Sequence, residues 1–173
     1  WHMECTGIAI KYLGEKLDIH FGAEDAVFPH HTNEIAQSEA YLGHKWCNYW
    51  VHLSWLLTGS IKMSKSKGHT TRISDLKNEG YNPLSFRYFI INSYYHKQLN
   101  FSFEAMDSAD TAYKKLKNKC LALAKDGAVE EETFNKYNNE FKKYLEDDLN
   151  TANTITLIYD LLNIIFNYKN PNV

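Results

Sequence analysis

An α/β region followed by an all-α region is the fold class the sequence predicts, on three observations. "NYWVHLSWLL", residues 48–57, alternates with the period of two that belongs to a strand. Before residue 100, glycines and prolines interrupt the apolar pattern at short intervals, which suits short strands and helices in turn. From Phe101 onward only helical periods remain, and Ile155, Ile158, Leu161, Leu162 and Ile165 fall on one apolar stripe.

The elements follow in order. Residues 4–16 carry Ile8, Tyr12 and Leu13 at helical spacing, with Gly14 as the stop. "KLDIHFG" reads as a short strand ending at Gly22. Pro29 precedes a helix over residues 30–42, whose apolar positions Ile35 and Leu42 lie two turns apart and which Gly43 closes. In the alternating stretch, Tyr49, Val51, Leu53, Trp55 and Leu57 face one way, and Trp50, His52, Ser54 and Leu56 the other. That pattern predicts a single strand with one fully apolar face. Thr58, Gly59 and Ser60 make a turn, and the polar, lysine-rich "IKMSKSKGHTTR" a loop. Pro83 opens a helix running through Tyr95.

Bulk properties exclude several classes. The 173 residues suffice for one ordinary domain or two small ones, and 44% hydrophobic content allows a buried core. A net charge of -2 excludes a domain that grips nucleic acid by bulk charge, though not contact through a local patch. Mixed charges over 107–148 read as solvated helix faces rather than a basic arm. Cys5, Cys47 and Cys120 are odd in number and widely spaced, which is no disulfide framework and points to a reducing, cytoplasmic location. Cys47 and Cys120 are expected as small buried or half-buried side chains. No apolar run reaches the roughly 18 residues of a membrane span, so no membrane partner is expected.

Two stretches carry chemistry. "FPHHTNEIAQSEA", residues 28–40, sets His30 and Glu34 at i and i+4, on one face of a helix. With Cys5 of "WHMEC" they form a mixed sulfur, nitrogen and oxygen donor set, which suits zinc at about 2.0–2.3 Å. Polar residues opening a solvated helix are the plainer reading of the same letters. His31 is expected to point roughly 100° away, as a packing residue or one that supports a ligand. The second stretch is "KMSKS", Lys62, Met63, Ser64, Lys65 and Ser66, followed by Gly68. Lysine-rich loops are ordinarily just solvated. Two lysines on such a loop can also close over a triphosphate and stabilise the charge that grows as pyrophosphate leaves.

"WHMEC", "FPHHTNEIAQSEA" and "KMSKSKG", in that order and spacing, resemble the cysteinyl-tRNA synthetase family of class I aminoacyl-tRNA synthetases. The resemblance runs on through "SFRYFIINSYYHKQLNFSFEAM" and, more weakly, "DDLNTANTITLIYDLL". It implies the second half of a Rossmann-like catalytic domain over 1–61, the "KMSKS" loop and stem-contact region over 62–102, and a helical tRNA-stem-contacting region over 103–173. It further implies one zinc ion on Cys5, His30 and Glu34, with a fourth ligand, a cysteine, in an amino-terminal half that also holds the first class signature. Trp1 corresponds to a substrate-pocket residue, Asp25 to a ribose contact, and Lys62 and Lys65 to catalytic lysines. Lys65 is the principal ATP contact. Where the family has a glycine triplet, this chain reads "HFGAED" and keeps Gly22 alone for approach to ATP. His20 and His52 are expected to line the same cleft.

The activity so implied joins L-cysteine to tRNA(Cys) with ATP and Mg²⁺, in a monomer, with this fragment by itself inactive. Two alternatives stand beside it. One is a ligase that couples activated cysteine to an amino sugar. The other is a helical binding module with a structural zinc.

Overall fold

A computed structural model describes residues 1–59, 61–62, 71–123 and 130–169. The chain divides into two compact units, Trp1–Trp55 with Tyr95–Gln98, and Leu56–Tyr94 with Leu99–Val173.

The first unit runs α1 (His2–Leu13), β1 (Leu17–Ala23), a short turn (Glu24–Ala26), a wide π-helical turn (Val27–His31), α2 (Thr32–Leu42) and β2 (Cys47–Leu53). Gly14 and Gly43 end the two helices as expected, Gly43 in the left-handed conformation at φ 74° that an L side chain resists. The expected helix over 30–42 begins two residues late, at Thr32. Phe28 is extended inside the preceding turn (φ -139°, ψ 132°) and so delays regular winding. β1 and β2 pair in parallel, with His20 opposite Trp50 and Gly22 opposite His52. Trp46 and Cys47 are buried with Leu17, and Ala9, Ile10, Leu42 and Trp50 pack against them.

On the fully apolar face of the alternating stretch, Tyr49 is 69% exposed, beside Ile19 and Phe21 on β1, which are also exposed. Trp50, on the other face, packs against the Leu17–Trp46–Cys47 core together with Ala9 and Ile10 of α1 and Leu42 of α2. The expectation that the stretch is one strand is corrected. Pairing stops at Leu53, and β3 (Leu56–Thr58) belongs to the second unit.

In the second unit β3 pairs antiparallel with β4 (Ile61–Lys62) and parallel with β5 (Leu99–Phe101). The sequence "IK", expected in a loop, is therefore strand, and β5 precedes the helical part. α3 (Ile73–Asn78), α4 (Pro83–Ile91), α5 (Phe103–Leu121), α6 (Glu131–Glu146) and α7 (Thr151–Lys169) complete it. α4 ends at Ile91, four residues before the expected Tyr95, where the Asn92 side chain donates to the Tyr88 carbonyl at 2.7 Å. Asn82 caps the other end, accepting from the Leu84 amide at 2.8 Å. Leu76, Tyr88, Phe89, Phe101, Met106, Ala109 and Ile155 form the core of this unit. On α7, Ile155 and Leu162 of the expected stripe are buried, and Leu157 off it is buried too. All three cysteines are free, and Cys120 is exposed rather than half-buried. No described helix is long and apolar enough to cross a membrane.

Candidate metal centre

Glu34, in the first turn of α2, is fully buried, as is Ser38 one turn further along the same face. A buried carboxylate needs partners. A carboxylate only accepts, so His20 Nε2 donates to Glu34 Oε2 at 3.0 Å. The other oxygen, Oε1, has no hydrogen-bond partner. His30 Nε2 lies 3.7 Å from it, too far for a hydrogen bond. Cys5 reaches the same place from α1, so that one atom each of Cys5, His30 and Glu34 lies within 4.8 Å of the others.

These residues fit a metal ion. Donors bound tetrahedrally at about 2.0–2.3 Å sit roughly 3.3–3.8 Å apart, and the His30–Glu34 pair already has that spacing. The unpartnered buried oxygen is the atom an ion would satisfy. Cys5, His30 and Glu34, paired in the sequence by resemblance, are thus brought together in space.

Four further histidines surround the trio. His2 Nδ1 and His30 Nδ1 are 2.7 Å apart. His31 Nδ1 and His52 Nε2 are 2.8 Å apart. His20 packs edge-on against Trp50 at 4.8 Å between ring centres and lies tilted against Trp46 at 5.8 Å. The expectation that His31 points away from the site is corrected. It is 4% exposed, and its Nε2 comes within 3.8 Å of Glu34 Oε2. The two histidines do diverge by about one residue's rotation, but i+3 and i+4 neighbours straddle Glu34 from either side. His20, His31 and Glu34 accordingly form a second close trio.

Burial lowers the His31 pKa to about 4, helped by the charges of His20, His52 and His30. His52 is lowered for the same first reason, with His20 and His96 adding to it. His31 is therefore neutral near pH 7, and His52 is biased the same way.

The other expected residues are placed as follows. Trp1 is 88% exposed, with its ring edge-on to His30 at 6.0 Å, so it stands at the rim of the site and not in a core. Gly22 faces His31: a Cβ there would come within 2.8 Å of His31 Nε2 and closer still to Cε1. Its lack of a side chain makes room for that ring. Asp25 is exposed in the turn after β1. Lys62 ends β4 in the second unit. Met63, Ser64, Lys65, Ser66 and Gly68 lie outside the described residues. Sequence reasoning missed His2, whose signal was its place one helical turn before Cys5 in "WHMEC".

The fold is that of a class I synthetase. The chain matches Agrobacterium radiobacter K84 LeuRS, solved in a ternary complex with tRNA and LeuAMS, at a TM-score of 0.65 over 86% of this chain and 22% of that one. Sequence identity there is 14%, so the likeness is one of fold alone. Residues 1–111 match the family model for the tRNA synthetases class I (C) catalytic domain, and the chain belongs to that family. Among its relatives, the cysteine--tRNA ligase of Koribacter versatilis is 41% identical over 94% of this chain. That of Thermococcus gammatolerans is 37% identical over 97%, and that of Prochlorococcus marinus strain NATL1A is 37% identical over 93%. The chain spans little more than a third of these relatives, 34%, 38% and 36% of their lengths in turn.

Proposed function

We propose that the chain is part of an enzyme that activates L-cysteine with ATP and transfers the cysteinyl group to tRNA(Cys). The observation that carries this reading is Glu34: a fully buried carboxylate with one unpartnered oxygen turned toward His30 Nε2. Cys5 completes the set, and the relatives named above support cysteine as the amino acid.

Bound by Cys5, His30 and Glu34, zinc would supply a soft site that a substrate thiolate fills well and a neutral hydroxyl poorly. Size alone separates cysteine from serine by only about 1–3 kcal/mol, so such a centre removes the need for editing. Trp1, exposed at the rim, packs along the substrate. Gly22 and Asp25 serve the adenosine side of ATP. Lys62 and Lys65 meet the triphosphate of ATP, which enters with Mg²⁺, and stabilise the charge that develops on the departing pyrophosphate. The first unit belongs to a Rossmann-like catalytic domain, and α5, α6 and α7 to a region that contacts the tRNA stem. The 173 residues by themselves are inactive in this reading, because a fourth zinc ligand and the first class signature lie in another part of the enzyme.

Cysteine-dependent exchange of pyrophosphate into ATP by the full-length protein tests the proposal, together with its zinc content. Exchange and one zinc per chain are expected, both lost in Cys5→Ala. Exchange without charging of tRNA(Cys), but with transfer of cysteine to an amino sugar, would replace the proposed acceptor. Exchange that persists in a zinc-free Cys5→Ala protein would end the role of the centre.

A further inference from the structure

Each of the two ligands on the Val27–His31 turn and α2 has a histidine behind it. His20 Nε2 holds Glu34 Oε2 at 3.0 Å and leaves Oε1 turned inward. His2 Nδ1 lies 2.7 Å from His30 Nδ1 and leaves Nε2 turned toward that same Oε1. The second contact is the more demanding. Two imidazole nitrogens at that distance share one proton, and valence decides which ring carries it. If His30 binds metal through Nε2, its lone pair there is used and its proton must sit on Nδ1. His30 is then the donor. His2 must accept through an unprotonated Nδ1 and keep its own proton on Nε2.

We propose that His2 is a positioning residue for the metal centre, fixing by one hydrogen bond both the tautomer and the ring orientation of His30. This rests on the reading of Cys5, His30 and Glu34 as metal ligands. The local structure supports it in two ways. His2 opens α1 three residues before Cys5, so the helix that delivers the sulfur also delivers the acceptor for the imidazole, and the two donors are set at a fixed separation. The ring contact is close as well, with centres 4.9 Å apart and planes tilted by 53°, which leaves His30 little freedom to rotate. A ligand imidazole held in this way is typically worth about 10–100-fold in metal affinity.

The test uses the full-length protein and zinc alone, with affinity measured by competition against a chromophoric chelator. His2→Leu keeps volume but has no acceptor, and zinc affinity is expected to fall about 10–100-fold. His2→Asn carries an oxygen close to where Nδ1 stood, and is expected to recover most of the loss. Nitrogen-15 NMR of the zinc-loaded protein is expected to show His30 with its proton on Nδ1 in the wild type and in His2→Asn. Wild-type affinity in His2→Leu overturns the proposal, and so does a His2→Asn protein as weak as His2→Leu, which would make the effect one of ring packing. His30→Ala separates the two levels of the argument. If it binds zinc like the wild type, the ligand reading falls and the role of His2 with it. If it loses zinc while His2→Leu does not, only the role of His2 falls.

Discussion

His20 donates to Oε2 of Glu34 at 3.0 Å, while Oε1 of the same buried carboxylate meets no hydrogen-bond partner. The two oxygens thus have different tasks. One anchors the side chain to β1, and the other is presented to Cys5 and His30.

Glu34→Gln follows directly from this asymmetry. The change keeps side-chain size and removes the negative charge, so metal affinity in the full-length protein is expected to fall about 10–100-fold or more. ATP affinity is expected to stay near normal, and the cysteine-over-serine ratio of kcat/KM to fall. His31→Gln is the comparison. Its Nε2 lies nearest Oε2, which His20 already holds, so zinc content is expected to survive there. Retained zinc in Glu34→Gln with loss in His31→Gln would take Glu34 out of the ligand set and put His31 into it.

The shared face of His30 and Glu34 was legible in the letters, because an i, i+4 pair depends only on local helix geometry, whereas Cys5 joined them only through the resemblance. What remained hidden is tertiary. That Tyr49 would be exposed and Trp50 packed inward depends on which face α1 and α2 cover, and alternation alone does not say. The break between Leu53 and Leu56 was masked by an apolar pattern that runs straight across it. His31 was misjudged by treating 100° as distance from the site, when Glu34 sits between the two histidines on the helix. The place of His2 one turn before Cys5 was a weak signal, and its meaning depends on His30, 28 residues away in the chain.

Gly22→Ala tests the space beneath His31. The new methyl would meet the imidazole, with Nε2 at 2.8 Å, and β1 is held by its pairing with β2. His31 has to give way and its hydrogen bond with His52 is disturbed. Overpacking of this kind costs about 1–3 kcal/mol, to be read as a lower midpoint in urea denaturation. An unchanged midpoint would show that the ring has an alternative place.

Lys65→Ala addresses the "KMSKS" stretch in the full-length protein. Loss of one charge contact made in the transition state is expected to slow adenylate formation about 10²–10³-fold, as measured by pyrophosphate exchange. Cysteine affinity should change little, since the lost interaction belongs to the transition state. Lys62→Ala is expected to be milder. Equal effects at the two lysines would reject the ranking.

In the second unit, Ser85 on α4 is fully buried, and its hydroxyl donates to Asp110 Oδ1 on α5 at 2.6 Å. Lys114 pairs with Oδ2 at 2.6 Å, from a side chain that is 67% exposed. These two contacts, Lys114 first, hold the Asp110 carboxyl below its usual range. Because the folded-state pKa is depressed, the stabilisation is present above the ordinary carboxylate pKa and is lost as pH falls through the folded value. The solvated lysine contributes only about 0–1 kcal/mol. The hydroxyl is the larger stake, since a hydrogen bond to a charged acceptor is worth about 1.5–3 kcal/mol. Ser85→Ala is therefore expected to cost more stability at pH 7 than Lys114→Ala. Asp110→Asn should destabilise at pH 7 and differ less and less from the wild type as pH falls through the folded-state value of Asp110, where its carboxyl becomes neutral. Urea denaturation of the four proteins at pH 7 and in acid would measure this. A penalty for Asp110→Asn that is equally large in acid would mean that shape, and not charge, joins α4 to α5 at this point.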